Sequence, residues 1–142
     1  MRVYLDTSFL ISLYSADANS IAAAQMMQAS RNVYLVSTFT ELEMINALQL
    51  RVFRKEILSA QATSSLHDFE QDLRQGVFQF IRRTEDAFQR AHRISRRTTA
   101  RLGTRTVDLL HVAAAIELNA DCLYSFDRQQ RKLARVFKLK LN

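Results

Sequence analysis

A chain of 142 residues with 48% hydrophobic residues suits one domain, residues 1–142, around one core, and excludes global disorder. Its formal net charge of +6 and pI near 10.0 favour a polyanionic partner, nucleic acid first. No apolar run approaches the roughly 20 residues of a membrane span, the opening "MRVYLD" carries no secretory signal, and the single cysteine, Cys122, excludes an internal disulfide, so a cytoplasmic protein with Cys122 in its core is expected.

Val3 to Leu5 reads as a short buried strand that runs directly into Asp6 and two hydroxyls. Ser8 to about Tyr14 begins a helix, and Ala18 to Ser30 is rich in alanine and methionine, with helical character. Val33 to Val36 is a second apolar run. Phe39 to Phe53 is helical in propensity, and Lys55 to Arg74 gives one or two helices. Val77 to Ile81, β-branched and aromatic, predicts a third strand. Thr84 to about Arg97 is a basic helix, and Thr106 can cap a helix from Val107 to Leu118. Cys122 to Ser125 is a fourth strand, and Val136 to Leu141 a fifth. Strands alternating with helices predict a parallel sheet covered on both faces. "VDLLHVAAAIEL", apolar almost all round, suits a helix packed into a domain.

Ligands of an open parallel sheet bind beyond the carboxyl ends of its strands, near a switch in strand order. Asp6 and Asp127 stand at or just past such ends, and Asp108 lies in the first turn of the apolar helix. Each has a plain structural role. An acid in a first turn gains about 0.3–1 kcal/mol from the helix dipole, and aspartates after strands cap the next helix. Gathered at one place, however, carboxylates repel unless a cation neutralises them. Hard oxygen donors select Mg²⁺ or Mn²⁺ rather than Zn²⁺. His67, His92 and His111 show no zinc spacing, and His111, one turn from Asp108, reads as a core histidine. "TELEM" offers two further acids, Glu41 and Glu43. They lie about 200° apart on a helix, so one metal cannot face both, and the apolar pattern does not choose between them. Arg82, Arg83, Arg90, Arg93, Arg96, Arg97, Arg101 and Arg105 form a basic field, either a phosphate-binding surface or a solvated helical face.

The segments "YLDTSFLIS", "VSTFTELEMINAL" and "RTVDLLHVAAAIELNADCLYSFDRQQRKLA", in that order and spanning almost the whole chain, resemble the PIN-domain nucleases. Among them the small VapC-type toxins of bacterial and archaeal toxin–antitoxin pairs are most similar. The resemblance implies an α/β fold, a three-layer α/β/α sandwich with a five-stranded parallel sheet and the first and fourth strands adjacent. It implies a catalytic, metal-binding quartet of Asp6, Glu43, Asp108 and Asp127, with Asp127 the weakest member. Ser8, Ser37 and Ser125 would support it, Ser125 standing where threonine is more usual. Its spacing, a serine then an acid six residues on, selects Glu43. It further implies Mg²⁺ or Mn²⁺, an RNA substrate, a homodimer, and a cognate antitoxin whose C-terminal segment sets a basic side chain against the acids. The site would lie in a positively charged cleft, the arginines gripping flanking RNA. A housekeeping RNA-processing nuclease, a Mg²⁺-dependent phosphatase forming a phospho-aspartate on Asp6, and a non-catalytic RNA-binding module are the alternatives. The phosphatase pattern Asp-x-Asp is broken here by Ser8.

Overall fold

The computed structural model describes residues 1–29 and 31–142. Its elements follow one another as β1 (Arg2–Leu5), α1 (Thr7–Tyr14), α2 (Ser20–Gln28), β2 (Val33–Ser37), α3 (Thr38–Phe53), α4 (Ser59–Arg74), β3 (Phe78–Ile81), α5 (Glu85–Leu102), α6 (Thr106–Glu117), β4 (Cys122–Tyr124), α7 (Arg128–Val136) and β5 (Lys140–Leu141). The strands form a 5-stranded sheet in the order β3-β2-β1-β4-β5. Every pairing is parallel, with Val3 opposite Tyr34 on one side and Cys122 on the other. The expected α/β/α sandwich with a five-stranded parallel sheet is what the chain forms.

Side chains alternate across a strand, so each strand feeds two cores. Val3, Leu5, Tyr34, Val36, Cys122 and Tyr124 face Phe9, Leu10, Met44, Leu48 and Phe69 from α1, α3 and α4. Tyr4, Leu35 and Leu123 face the other way, onto Ala91 and Ile94 of α5, Leu109 to Ala115 of α6 and Leu133 of α7. Cys122 is buried and unpaired, as a core residue. Full burial of an aliphatic side chain contributes roughly 1.5–3 kcal/mol, so this double-sided packing stabilises the short strands far more than their ladders do.

Three boundaries depart from expectation. Helix α5 extends to Leu102 because Ala87, Ala91, Ile94 and Thr98 carry a buried stripe beyond Arg97. It stops at Gly103, whose φ of 64° suits a residue without Cβ. Thr106 does not cap α6 but is its first residue. Arg105 takes the cap position, with its N–H donating to Asp108 Oδ2 at 3.3 Å. Val136 belongs to α7 and not to β5, because Gln130, Leu133 and Ala134 at i, i+3 and i+4 bury one face of a strongly basic helix capped by Asp127. The fifth strand shrinks to Lys140–Leu141. The helix expected to run to Ser30 ends at Gln28, and Ser30 lies outside the described residues.

Chain order reverses between β1 and β4, where a parallel sheet opens a crevice beyond its strand ends.

Candidate active site

The crevice is a cavity of about 400 Å³ lined by Asp6, Thr7, Ser8, Asp17, Glu43, Arg105, Asp108 and Asp127, among others. Each acid of the sequence-derived quartet reaches it from a different element: the end of β1, α3, the first turn of α6, and the cap of α7.

Leu5 lies opposite Tyr124, and the Asp6 N–H donates to the Tyr124 carbonyl at 3.1 Å. The chain therefore delivers Asp6 and Ser125 side by side. Ser125 Oγ donates to Asp6 Oδ2 at 2.6 Å, Ser8 Oγ donates to Oδ1 at 2.8 Å, and the Phe9 N–H donates to Oδ1 at 2.8 Å. The last bond makes Asp6 the cap of α1 as well. Its carboxylate is only 1% exposed. Burial pushes its pKa above the ordinary range, against the His111 charge and the hydrogen bonds of Ser125, Phe9 and Ser8.

Asp127 Oδ1 accepts the N–H groups of Gln129 at 2.8 Å and Gln130 at 3.0 Å, capping α7, while Oδ2 accepts Arg105 Nη2 at 2.8 Å. The same guanidinium forks onto Asp108, Nε to Oδ2 and Nη2 to Oδ1, both at 3.0 Å. Burial raises the Asp127 carboxyl, but the Gln130 N–H and the Arg105 charge outweigh it and the net shift is downward. Asp6 and Asp127 line the same cavity. Ser8 and Ser125 join them, since the Asp127 N–H donates to the Ser8 hydroxyl at 3.2 Å and the Ser125 hydroxyl at 3.1 Å.

Glu43 faces this cavity and Glu41 is not among its lining residues. His111 Nε2 lies 2.7 Å from Glu43 Oε2, and the Thr7 hydroxyl donates to the same oxygen. His111 is 1% exposed, and its Nδ1 lies 3.2 Å from the Tyr4 hydroxyl, which also bonds Ser37 at 2.8 Å and Thr40 at 3.0 Å. Ser37 caps α3 through Thr40 N–H, so it supports the helix carrying Glu43 rather than the cavity itself. Burial raises the Glu43 carboxyl, yet His111, Thr7 and Arg105 together lower it below its ordinary value. His111 is thus a core histidine with both nitrogens engaged, one of them on a cavity acid. Thr7, His111, Tyr4 and Asp17 join the site beyond the residues that the sequence singles out. The hydroxyl after Asp6 and the one-turn spacing of His111 from Asp108 were the available signals.

The donor set fits a hard divalent cation: carboxylate and hydroxyl oxygens, no thiol, and a histidine already engaged. As the side chains stand, no three His, Cys, Asp or Glu residues among the described residues are grouped to hold an ion. Arg105 instead bridges Asp108 and Asp127, and Glu43 turns to His111.

The basic field does not surround this cavity, contrary to the expected positively charged cleft. Arg105 is the one basic residue lining it among the described residues. Arg90, Arg93, Arg96 and Arg97 line a separate groove of about 310 Å³ floored by Ile94 and Phe137. The stripe through Ala87, Ala91 and Ile94 faces the core and so turns these arginines outward. Arg90 is paired with Glu117, Arg82 lies over the Phe80 ring at 5.3 Å, and Arg83 and Arg101 are exposed. No helix among the described residues is long and apolar enough to cross a membrane.

The fold matches that of VapC20 from Mycobacterium tuberculosis, a sarcin-ricin loop cleaving toxin, with a TM-score of 0.70 at 20% identity over 92% of this chain and 93% of that one. It also matches VapBC2 from Rickettsia felis, solved bound to a DNA fragment from their promoter, with a TM-score of 0.70 at 19% identity over 100% and 98% of the two chains. FitAcB from Neisseria gonorrhoeae gives 0.64 at 14% identity over 98% and 95%. A sequence comparison with curated proteins finds no significant match. The PIN domain profile matches residues 3–136, and the chain accordingly belongs to the PIN-domain family, with the fold of the VapC proteins.

Proposed function

We propose that this PIN-domain protein is a Mg²⁺- or Mn²⁺-dependent endoribonuclease, acting as the toxin of a VapBC-type pair. The observation carrying the proposal is the convergence of Asp6, Glu43, Asp108 and Asp127 on one cavity at the sheet's switch point. Acids gathered from four elements cost repulsion and desolvation, which an enzyme recovers through a cation.

In this reading Asp6, Glu43 and Asp108 are the principal ligands, and Asp127 the weakest. The bound cation supplies acidification of water and stabilisation of the leaving oxygen. The chain's own part is orientation. Ser8 and Ser125 fix Asp6, while His111 and Thr7 fix Glu43, as outer partners of metal ligands do. The α5 arginines provide affinity for phosphates without sequence choice, and readable RNA is single-stranded or looped. A phospho-aspartate on Asp6 is disfavoured, because Ser8 stands where that chemistry places its second acid.

An antitoxin partner is supported by a second groove, about 440 Å³, lined by Phe39, Leu42, Phe88, Val107 and Leu110 and sharing Glu43 with the acidic cavity. A segment anchored by apolar side chains there reaches the carboxylates with a basic side chain. The proposed assembly is a homodimer carrying this partner, located in the cytoplasm.

The test is an assay on end-labelled RNA with purified protein. Divalent-dependent internal cleavage supports the reading. Retention of intact RNA points to a binding module, and release of phosphate from a small phosphoester points to a phosphatase.

A further inference from the structure

We propose that Arg105 is an internal counter-cation of the acidic cavity, displaced when a divalent ion binds and then free to grip an RNA phosphate. This rests on the metal-nuclease reading above and adds a gate to it.

The guanidinium occupies oxygens of two of the four proposed ligands, Asp108 and Asp127. It takes Asp108 Oδ1 and Oδ2 at 3.0 Å and Asp127 Oδ2 at 2.8 Å, so a cation approaching these two carboxylates competes with the fork for their lone pairs and meets its positive charge. Mobility is unequal between the partners. The Arg105 side chain is 66% exposed, whereas that of Asp108 is 4% exposed in an otherwise apolar helix. Arg105 can therefore swing into solvent without repacking the core, and Asp108 cannot. Charge also favours exchange, because one positive charge faces Asp108 and Asp127 here while a divalent ion brings two. No three acids are grouped for a metal among the described residues as the side chains stand, and rotation of Arg105 frees the Asp108 and Asp127 oxygens to take part in one. Once released, the guanidinium remains tethered at the cap of α6, on the cavity wall, with its planar fork free for a phosphate.

A purely structural role, in which the fork only staples α6 to α7, gives a different result when Arg105 is removed. The experiment is a Mn²⁺ titration by calorimetry, without RNA, of the wild type, R105A, R105Q and R105K, with Asp6→Asn as reference. R105A and R105Q should bind Mn²⁺ about tenfold more tightly than the wild type, the strength of an exposed charge-assisted bridge. R105K, which keeps the charge and loses the fork, should fall between. In chelator R105A should melt below the wild type, and saturating Mn²⁺ should close that gap. With Mn²⁺ saturating, the KM for RNA should rise about tenfold in R105A and R105Q. Equal or weaker Mn²⁺ affinity in R105Q beside measurable binding by the wild type overturns the displacement and leaves the nuclease reading intact. An unchanged KM overturns the phosphate grip. Absence of Mn²⁺ binding by the wild type itself removes both the metal reading and this inference.

Discussion

Glu43 Oε2 stands 2.7 Å from His111 Nε2, joining an acid of α3 to a buried histidine of α6 that are 68 positions apart in the chain. The pair fixes which way α3 faces. Its second acid, Glu41, does not line the cavity. Glu43→Gln should remain folded and lose cleavage by at least about a hundredfold, because a ligand goes while the shape stays. Glu41→Gln should stay within about threefold of the wild type. His111→Gln should lose about ten- to a hundredfold, since Glu43 is left unoriented. Cleavage rates on a labelled RNA, at matched circular dichroism, check all of these; an inactive Glu41→Gln beside a normal Glu43→Gln would reverse the assignment.

Much of this geometry was legible in the sequence, and its gaps have physical causes. Asp6 and Asp127 could be found because each ends an apolar run, and strand ends meet at a switch point. Glu43 required the family resemblance, because α3 is too weakly amphipathic to show its inward face. Helix α7 escaped because "RQQRKLARV" buries little beyond Gln130, Leu133 and Ala134, so its charges hid the helical stripe. In the sequence Arg105 reads as part of a basic field. Its pairing with Asp127 spans 22 positions and depends on the turn at Gly103, which local pattern does not report.

Asp6 gives a prediction about pH and metal. Its carboxyl is raised by burial, so its stabilising contribution is fully present below the unfolded value, near 3.9, and is lost as pH rises through the folded value. Ionised Asp6 therefore burdens the metal-free protein at neutral pH. Asp6→Asn should melt a few degrees higher than the wild type in chelator at pH 7.5, with the advantage shrinking as the solution is acidified. Glu43 and Asp127 shift the other way, contributing stability above their unfolded values that is lost as pH falls through the folded ones; being common to both proteins, they cancel in the comparison. Millimolar Mn²⁺ should raise the wild-type melting temperature by mass action and raise that of Asp6→Asn far less. Scanning calorimetry in both buffers decides it, and identical wild-type melting with Mn²⁺ and chelator counts against a metal site.

The groove along α5 makes a separable contribution. Arg93, Arg96 and Arg97 line it without an acidic partner among the described residues, beside the aromatic ring of Phe137. Replacing all three by alanine should weaken RNA binding and flatten its salt dependence, by about 0.7 in the log–log slope for each phosphate that is no longer neutralised. The effect should fall on KM more than on kcat. Binding isotherms at several salt concentrations measure the slope, and an unchanged slope removes this face from the RNA path.

The toxin role predicts a phenotype. Expression of the wild-type chain alone in its native host should slow growth, Asp6→Asn should not, and co-expression with the neighbouring small gene product should restore growth. Asp6→Asn should still bind that partner, because the groove of Phe39, Leu42 and Phe88 is untouched. Equal harmlessness of the two proteins at matched soluble levels would leave a nuclease without a toxin's role.

The central claim is that the acids at this switch point act together as one metal-dependent cleavage site. Its most direct measurement is internal cleavage of an end-labelled, structured RNA by purified wild type and Asp108→Asn, each with Mn²⁺ and with chelator. Cleavage by the wild type in Mn²⁺ alone, with Asp108→Asn reduced at least about a hundredfold in the same buffer, is the predicted result. Equal cleavage by the two proteins, or wild-type cleavage that persists undiminished in chelator, would contradict it.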